Sequence, residues 1–132
     1  MGTRSLTILK GRSNEEIAVL YRQFDGYTKG GHGQELAEFL SGFEMVNGMT
    51  GDEGPKFANG PDCLAAQIIA HFKQQPGQFY LHPAGTRDIG EEYTYTVSCE
   101  VGQEPHISVE SGLSWDGYDG AASDVLAKIM AE

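Results

Sequence analysis

From Tyr93 to Val101 the chain alternates without a break. Tyr93, Tyr95, Val97, Cys99 and Val101 fall on one side, and Thr94, Thr96, Ser98 and Glu100 on the other. A period of two residues over nine positions describes a β-strand with one packed face and one wet face. Gly102-Gln103-Glu104-Pro105 then turns the chain into Ile107 and Val109, so 93–101 and 106–110 are predicted to pair antiparallel with the tyrosines facing inward.

The remaining segments are arranged around this pair. Ser5–Lys10 reads as a first strand. Ile17, Val19 and Tyr21 share one side of a second strand, with Ala18, Leu20, Arg22 and Phe24 on the other. Leu36, Phe39, Leu40 and Phe43 follow helical spacing, as do Leu64, Ile68 and Phe72, with Asp62 as an N-cap for a helix through Gln75. Phe79–His82 is a short strand. Ser123 opens a last helix with Val125, Leu126, Ile129 and Met130 inward. The segment 44–61, with four glycines and two prolines, reads as a long loop able to order over a site as a lid. With 132 residues and neither repeat nor linker, the expectation is one globular domain, 1–132. Its predicted fold is α+β: a single antiparallel sheet of about five strands, with about three helices packed mainly on one face.

Charge and cysteine content narrow the function. A net charge of −10 disfavours direct binding of nucleic acid or of an anionic membrane surface. The charge is uneven: residues 1–30 hold five bases against three acids, so the remainder carries −12. A local site for a small anion is compatible with that distribution. Cys63 and Cys99 form no Cys-x-x-Cys pair, and no secretory apolar segment opens the chain, so a cytoplasmic protein with reduced thiols is expected. No apolar run approaches the ~20 residues of a membrane span.

Residues 21–33, Tyr-Arg-Gln-Phe-Asp-Gly-Tyr-Thr-Lys-Gly-Gly-His-Gly, concentrate the chemistry. They read as a strand end, a glycine turn and a helix start, where backbone N–H groups can meet a phosphate or carboxylate. Arg22 sits on an otherwise apolar strand side, so its charge needs either an internal carboxylate or an anionic ligand. The candidate ligand-binding residues are Arg22, Gln23, Asp25, Tyr27, Gly31, His32 and Gly33, with Arg87 as a further phosphate partner and Trp115 as a stacking surface. Against this stands a simpler account, in which the glycines only make a tight turn and Asp25 only holds Arg22. The turn lacks the Gly-Lys-Ser/Thr of a Walker loop, and it is not the dinucleotide fingerprint. The four histidines lack zinc-site spacing, and no metal or other cofactor is expected. Asp116 and Asp119 fall short of a calcium loop. No nucleophile carries a local signature, although Asp25, His32 and Glu35 would supply general acid and base if they converged.

Met1-Gly2-Thr3-Arg4-Ser5-Leu6-Thr7, the block Tyr21-Arg22-Gln23-Phe24-Asp25-Gly26-Tyr27, and Gly31-His32-Gly33 before Leu36-Ala37-Glu38-Phe39-Leu40 resemble a family of small proteins of bacteriophages and prophage-bearing bacterial genomes. The resemblance is specific over residues 1–43 and looser beyond, where Glu92-Tyr93-Thr94-Tyr95 also fits. It implies a genomic setting and transfers no catalytic residue. Proline often follows the tyrosine in that family and the linker to Gly-His-Gly is shorter, whereas Thr28-Lys29-Gly30 stand here, so a different turn geometry is expected.

Setting and chemistry together lead to the expectation of a small phage-type protein that sequesters a phosphate-bearing small molecule, such as a host immune nucleotide signal, to counter bacterial defence. The expected partner is an anionic, nucleotide-like ligand, with homo-oligomerisation left open. The alternatives are an acidic DNA mimic that blocks a host nucleic-acid-binding protein, a small nucleotide hydrolase using Asp25, His32 and Glu35, and a plain structural or assembly role.

Overall fold

Two adjacent strands carry the centre of the fold, in a computed structural model that describes residues 2–112, 115 and 117–132. β1 (Ser5–Lys10) is buried along both faces up to its last residue. β6 (Tyr93–Ser98) lies parallel beside it, with Thr7 opposite Tyr95. On the other side of β1 runs β2 (Glu16–Arg22), antiparallel, and beyond it β5 (Phe79–Pro83), also antiparallel. β7 (His106–Ser111) pairs antiparallel with β6, and β8 (Tyr118–Ala121) pairs antiparallel with β7. Among the described residues the sheet therefore has six strands in the order β5-β2-β1-β6-β7-β8, with one parallel contact at its centre.

Among the described residues three helices complete an α+β architecture: α1 (His32–Leu40), α2 (Gly60–Phe72) and α3 (Ala122–Met130). Leu36 and Leu40 of α1, Leu64 and Ile68 of α2, and Val125 and Ile129 of α3 join Leu9, Tyr95, Val97, Ile107 and Val109 of the sheet in one core. Each such side chain contributes roughly 1.5–3 kcal/mol by leaving water. Leu6, Ile8 and Val19, with Tyr21 against them, form a smaller cluster on the opposite face of the sheet. Among the described residues no helix is long and apolar enough to cross a membrane.

The antiparallel pair read from the alternating segment is present, with Tyr93 opposite Ser111 and Val97 opposite Ile107. Tyr95 and Val97 lie in the helix-facing core, and Tyr93 packs at its margin.

The sheet has one strand more than the about five expected, because β8 forms in a segment with no strand-like alternation. Its Gly120 faces the core without a side chain, which erases the period that would mark a strand. The segment 44–61 also contains two three-residue strands, β3 (Glu44–Val46) and β4 (Phe57–Asn59), paired parallel in a separate ladder. Met45 and Ala58 bury into the core from them. α2 begins at Gly60-Pro61 rather than Asp62, since proline suits the first helical turn, where no intrahelical N–H bond is required. It ends at Phe72, before Gln75. Ser123 does not cap α3; its N–H and hydroxyl both bond the Glu104 carboxylate. Asp116, one of the two carboxylates considered for a cation, lies outside the described residues.

Candidate functional site

Arg22 ends β2 on the helix-facing side, opposite Ser5 of β1 and Phe79 of β5. Its residue is only 6 % exposed. A buried guanidinium must be paired, and this one is. Nη1 donates to the Glu35 carboxylate in the first turn of α1, and Nε donates to the Phe24 carbonyl at 2.7 Å. The Asp25 carboxylate is 4.0 Å from Nη2, and the Phe79 ring centre is 5.0 Å from the guanidinium carbon. The internal carboxylate called for by the sequence is therefore chiefly Glu35, thirteen residues away, with Asp25 as a looser neighbour.

His32 begins α1 and is fully buried. Its ring lies among Phe72, Phe79 and Tyr95, at centre-to-centre distances of 4.8, 6.3 and 5.1 Å. Nε2 is 2.7 Å from Thr7 Oγ1, and Nδ1 is 3.3 Å from Arg22 Nη1. Arginine can only donate, so Nδ1 accepts, and Nε2 carries the proton that goes to Thr7. Burial, reinforced by the charge of Arg22, lowers the imidazole pKa to about 3. His32 is thus neutral at ordinary pH and bonded at both nitrogens. It links the first turn of α1 to β1 and β2.

The glycine turn spends its donors on itself. His32 N–H goes to the Asp25 carbonyl at 2.7 Å, Gly33 N–H to Tyr27 at 3.1 Å, and Gln34 N–H to Thr28 at 3.0 Å. Gly31 N–H also goes to Thr28, and Gly30 N–H is taken by the Gln34 side chain. The cradle expected for a phosphate is closed by the loop's own carbonyls. Close packing accounts for the glycines: a Cβ on Gly31 would stand 2.6 Å from the Asp25 and Tyr27 carbonyl oxygens, and one on Gly33 would stand 2.9 Å from Thr28 Cα and Tyr95 Oη. Tyr95 Oη donates to the Gly26 carbonyl, pinning the loop to the sheet, and burial pushes that phenol well above its usual pKa range.

The structure divides the other candidates. Asp25 has φ +61° and accepts a 3.3 Å bond from Tyr27, whose side chain is partly exposed. Gln23 extends the β2–β5 ladder through its N–H to Gln78. Arg87 pairs with Glu16, at the far end of β2 from Arg22, roughly 20 Å away for a strand of that length. Trp115 stacks edge-on against Tyr118 at 4.8 Å and lies 6.3 Å from Tyr93. Tyr93 is two strands across from Arg22, about 10 Å at ordinary strand spacing. On that flank Thr28 and Tyr118 both donate to the Glu132 carboxylate.

A cleft of about 510 Å³ opens beside Arg22, between α1, the end of α2 and the start of β5. Glu35, Glu38, Lys56, Phe39, His71, Phe72, Gln78 and Phe79 complete its wall; His32 and Tyr27 are not part of it. Phe39 and His71 stack at 4.0 Å with an interplanar angle of 14°. Lys56 reaches the carbonyls of Glu38 and Ser41 at the end of α1. The cleft thus offers a fixed guanidinium, a second cation and a stacked aromatic pair, opposed by two carboxylates. The sequence assigns Phe39, Phe72 and Phe79 to helix or strand faces, and it singles out neither His71 nor Lys56 for a site. The usable signal was the i, i+3 step from Phe39 past the helix's buried leucines, together with adjacent His71-Phe72 at the end of α2.

Comparison of the chain with protein-family models, with curated proteins and with solved structures finds no significant match.

Proposed function

We propose that the protein binds a phosphate-bearing small molecule with a flat ring, held in the cleft beside Arg22, and that it acts as a binding protein rather than an enzyme. The observation that carries this is a buried guanidinium in the wall of a cleft that also presents the Phe39–His71 stack. Cation and aromatic face together suit a nucleotide: the phosphate meets Arg22 and Lys56, and the base lies on the ring pair. The phage-protein resemblance supplies the setting, in which holding a host nucleotide signal would blunt a defence pathway.

Two features weigh against the alternatives. A hydrolase using His32 would need a solvent-accessible ring able to exchange protons, and this ring is buried with both nitrogens occupied. A DNA mimic would need free carboxylates on one face. Here four of the nineteen carboxylates, Glu16, Glu53, Glu91 and Glu104, instead accept bonds from backbone N–H groups and serve to hold the chain's own segments.

Thermal unfolding with a panel of cyclic dinucleotides, ADP-ribose-type signals and simple nucleotides tests the proposal, since a ligand of the native state raises stability by mass action. At least one nucleotide should raise Tm and be recovered unchanged from the denatured protein. Recovery of an altered nucleotide would make the protein an enzyme. No shift with any of them, together with capture of a host nuclease, would favour the DNA-mimic alternative.

A further inference from the structure

The donors of Arg22 are unevenly spent. Nε is closed by the Phe24 carbonyl, and Nη1 is shared by Glu35 and His32. Among the described residues Nη2 makes no hydrogen bond, and its charged neighbour Asp25 stands at 4.0 Å, beyond hydrogen-bond reach. A guanidinium grips an oxyanion best through two parallel N–H bonds, and with Nε occupied the edge that remains is Nη1 with Nη2. Exposure is equally uneven. The Arg22 side chain is 7 % exposed and fixed between Phe79 and the Phe24 carbonyl, while the Glu35 side chain is 47 % exposed at the cleft wall. If Glu35 lets go, it stays in the first turn of α1, where water and the helix dipole both favour a carboxylate.

We propose that Glu35 holds the place of a ligand's anionic group, and that a phosphate monoester entering the cleft displaces it from Arg22. This rests on the ligand proposed above for the same cleft. Two phosphate oxygens then span Nη1 and Nη2, where Glu35 engages Nη1 alone. Glu35 is in this way an internal competitor: it keeps the buried charge satisfied when the cleft is empty and sets a threshold concentration for occupancy. Glu38 lines the same cleft without bonding Arg22, so it separates displacement from simple charge repulsion.

The experiment is a calorimetric titration of wild type, Glu35→Gln, Glu35→Asp and Glu38→Gln with inorganic phosphate and with AMP, on proteins first shown to be folded by circular dichroism. Glu35→Gln should bind both probes about tenfold more tightly, the loss of one charged competing bond. Glu35→Asp keeps the charge but shortens the reach, so it should also bind more tightly, whether or not Glu35→Gln folds. Glu38→Gln should change affinity less than about threefold. AMP exceeding phosphate in every variant would place the ring on the aromatic pair; equal binding would mean that the cleft reads phosphate alone. If wild type binds and neither Glu35 variant gains, displacement is overturned while the cleft remains a ligand site. An equal gain in Glu38→Gln also overturns displacement, in favour of repulsion. If no folded variant binds either probe, the phosphate-binding cleft itself is overturned.

Discussion

Nη1 of Arg22 lies 3.3 Å from Nδ1 of His32, so a permanent cation donates to an imidazole that burial keeps neutral. The same guanidinium bonds Glu35, which is half in water. One arginine therefore joins a sealed structural contact to an open, chemically available one.

The sealed side predicts a pH dependence. Native His32 has a pKa of about 3, against about 6.5 in an unfolded chain. The unfolded state thus binds the extra proton, and the contribution is complete above pH 6.5 and lost as pH falls through that value towards 3. The slope is about 1.4 kcal/mol per pH unit. Glu16 and Glu104, whose carboxyls are held below the ordinary range, lose their contributions only below about pH 4.5. Urea unfolding between pH 7.5 and 5 should show the loss in wild type and a flatter profile in a folded His32→Gln variant. Equal slopes would mean that His32 is solvated in the native state.

Gly31→Ala and Gly33→Ala should each destabilise by about 1–3 kcal/mol, because the added methyl meets the Asp25 and Tyr27 carbonyls or the Tyr95 hydroxyl. Gly30 has φ +79°, and among the described residues an added methyl would meet just the Tyr27 ring edge, at 3.9 Å, so Gly30→Ala should cost about 1 kcal/mol from backbone strain. Chemical denaturation ranks the three, and a larger loss at Gly30 would refute packing as the reason for the glycines.

Glu132→Gln should loosen the turn from its other flank. The carboxylate accepts from Thr28 at 2.8 Å and from Tyr118 at 2.9 Å, and the change should cost about 0.5–1.5 kcal/mol. Hydrogen exchange at Gly31 and Gly33 should accelerate. Unchanged exchange there would show that the turn is held without Glu132.

Arg87→Ala should leave ligand binding within twofold of wild type, since Arg87 pairs with Glu16 at the other end of β2. Its effect should appear as fraying of the 84–92 loop, read by limited proteolysis. A tenfold loss of affinity would place the ligand elsewhere.

The legible parts of the fold were those whose pattern is local. The Tyr93–Val97 alternation and the spacing of Leu36, Leu40, Leu64 and Ile68 report packing within a few residues of themselves. β3 and β4 are too short to show a period, and the parallel contact of β1 with β6 joins segments nearly ninety residues apart. The oddity of Arg22 was visible because a charge among apolar neighbours needs a partner. Its principal partner, Glu35, sits in a helical turn where a carboxylate already has a sufficient local reason to be. The glycine turn suggested free donors, because a sequence lists N–H groups without the carbonyls that fold back onto them.

The most direct test is a nitrogen-15 NMR titration with a nucleoside monophosphate, following the Arg22 side-chain Nε–H together with the backbone amides. Saturable shifts are expected at Arg22, Glu35, Phe39, His71 and Phe79, with none at Arg87 or Trp115. Shifts confined to Tyr93, Trp115 and Tyr118, or no saturable shift at millimolar nucleotide, would contradict the cleft as the ligand site.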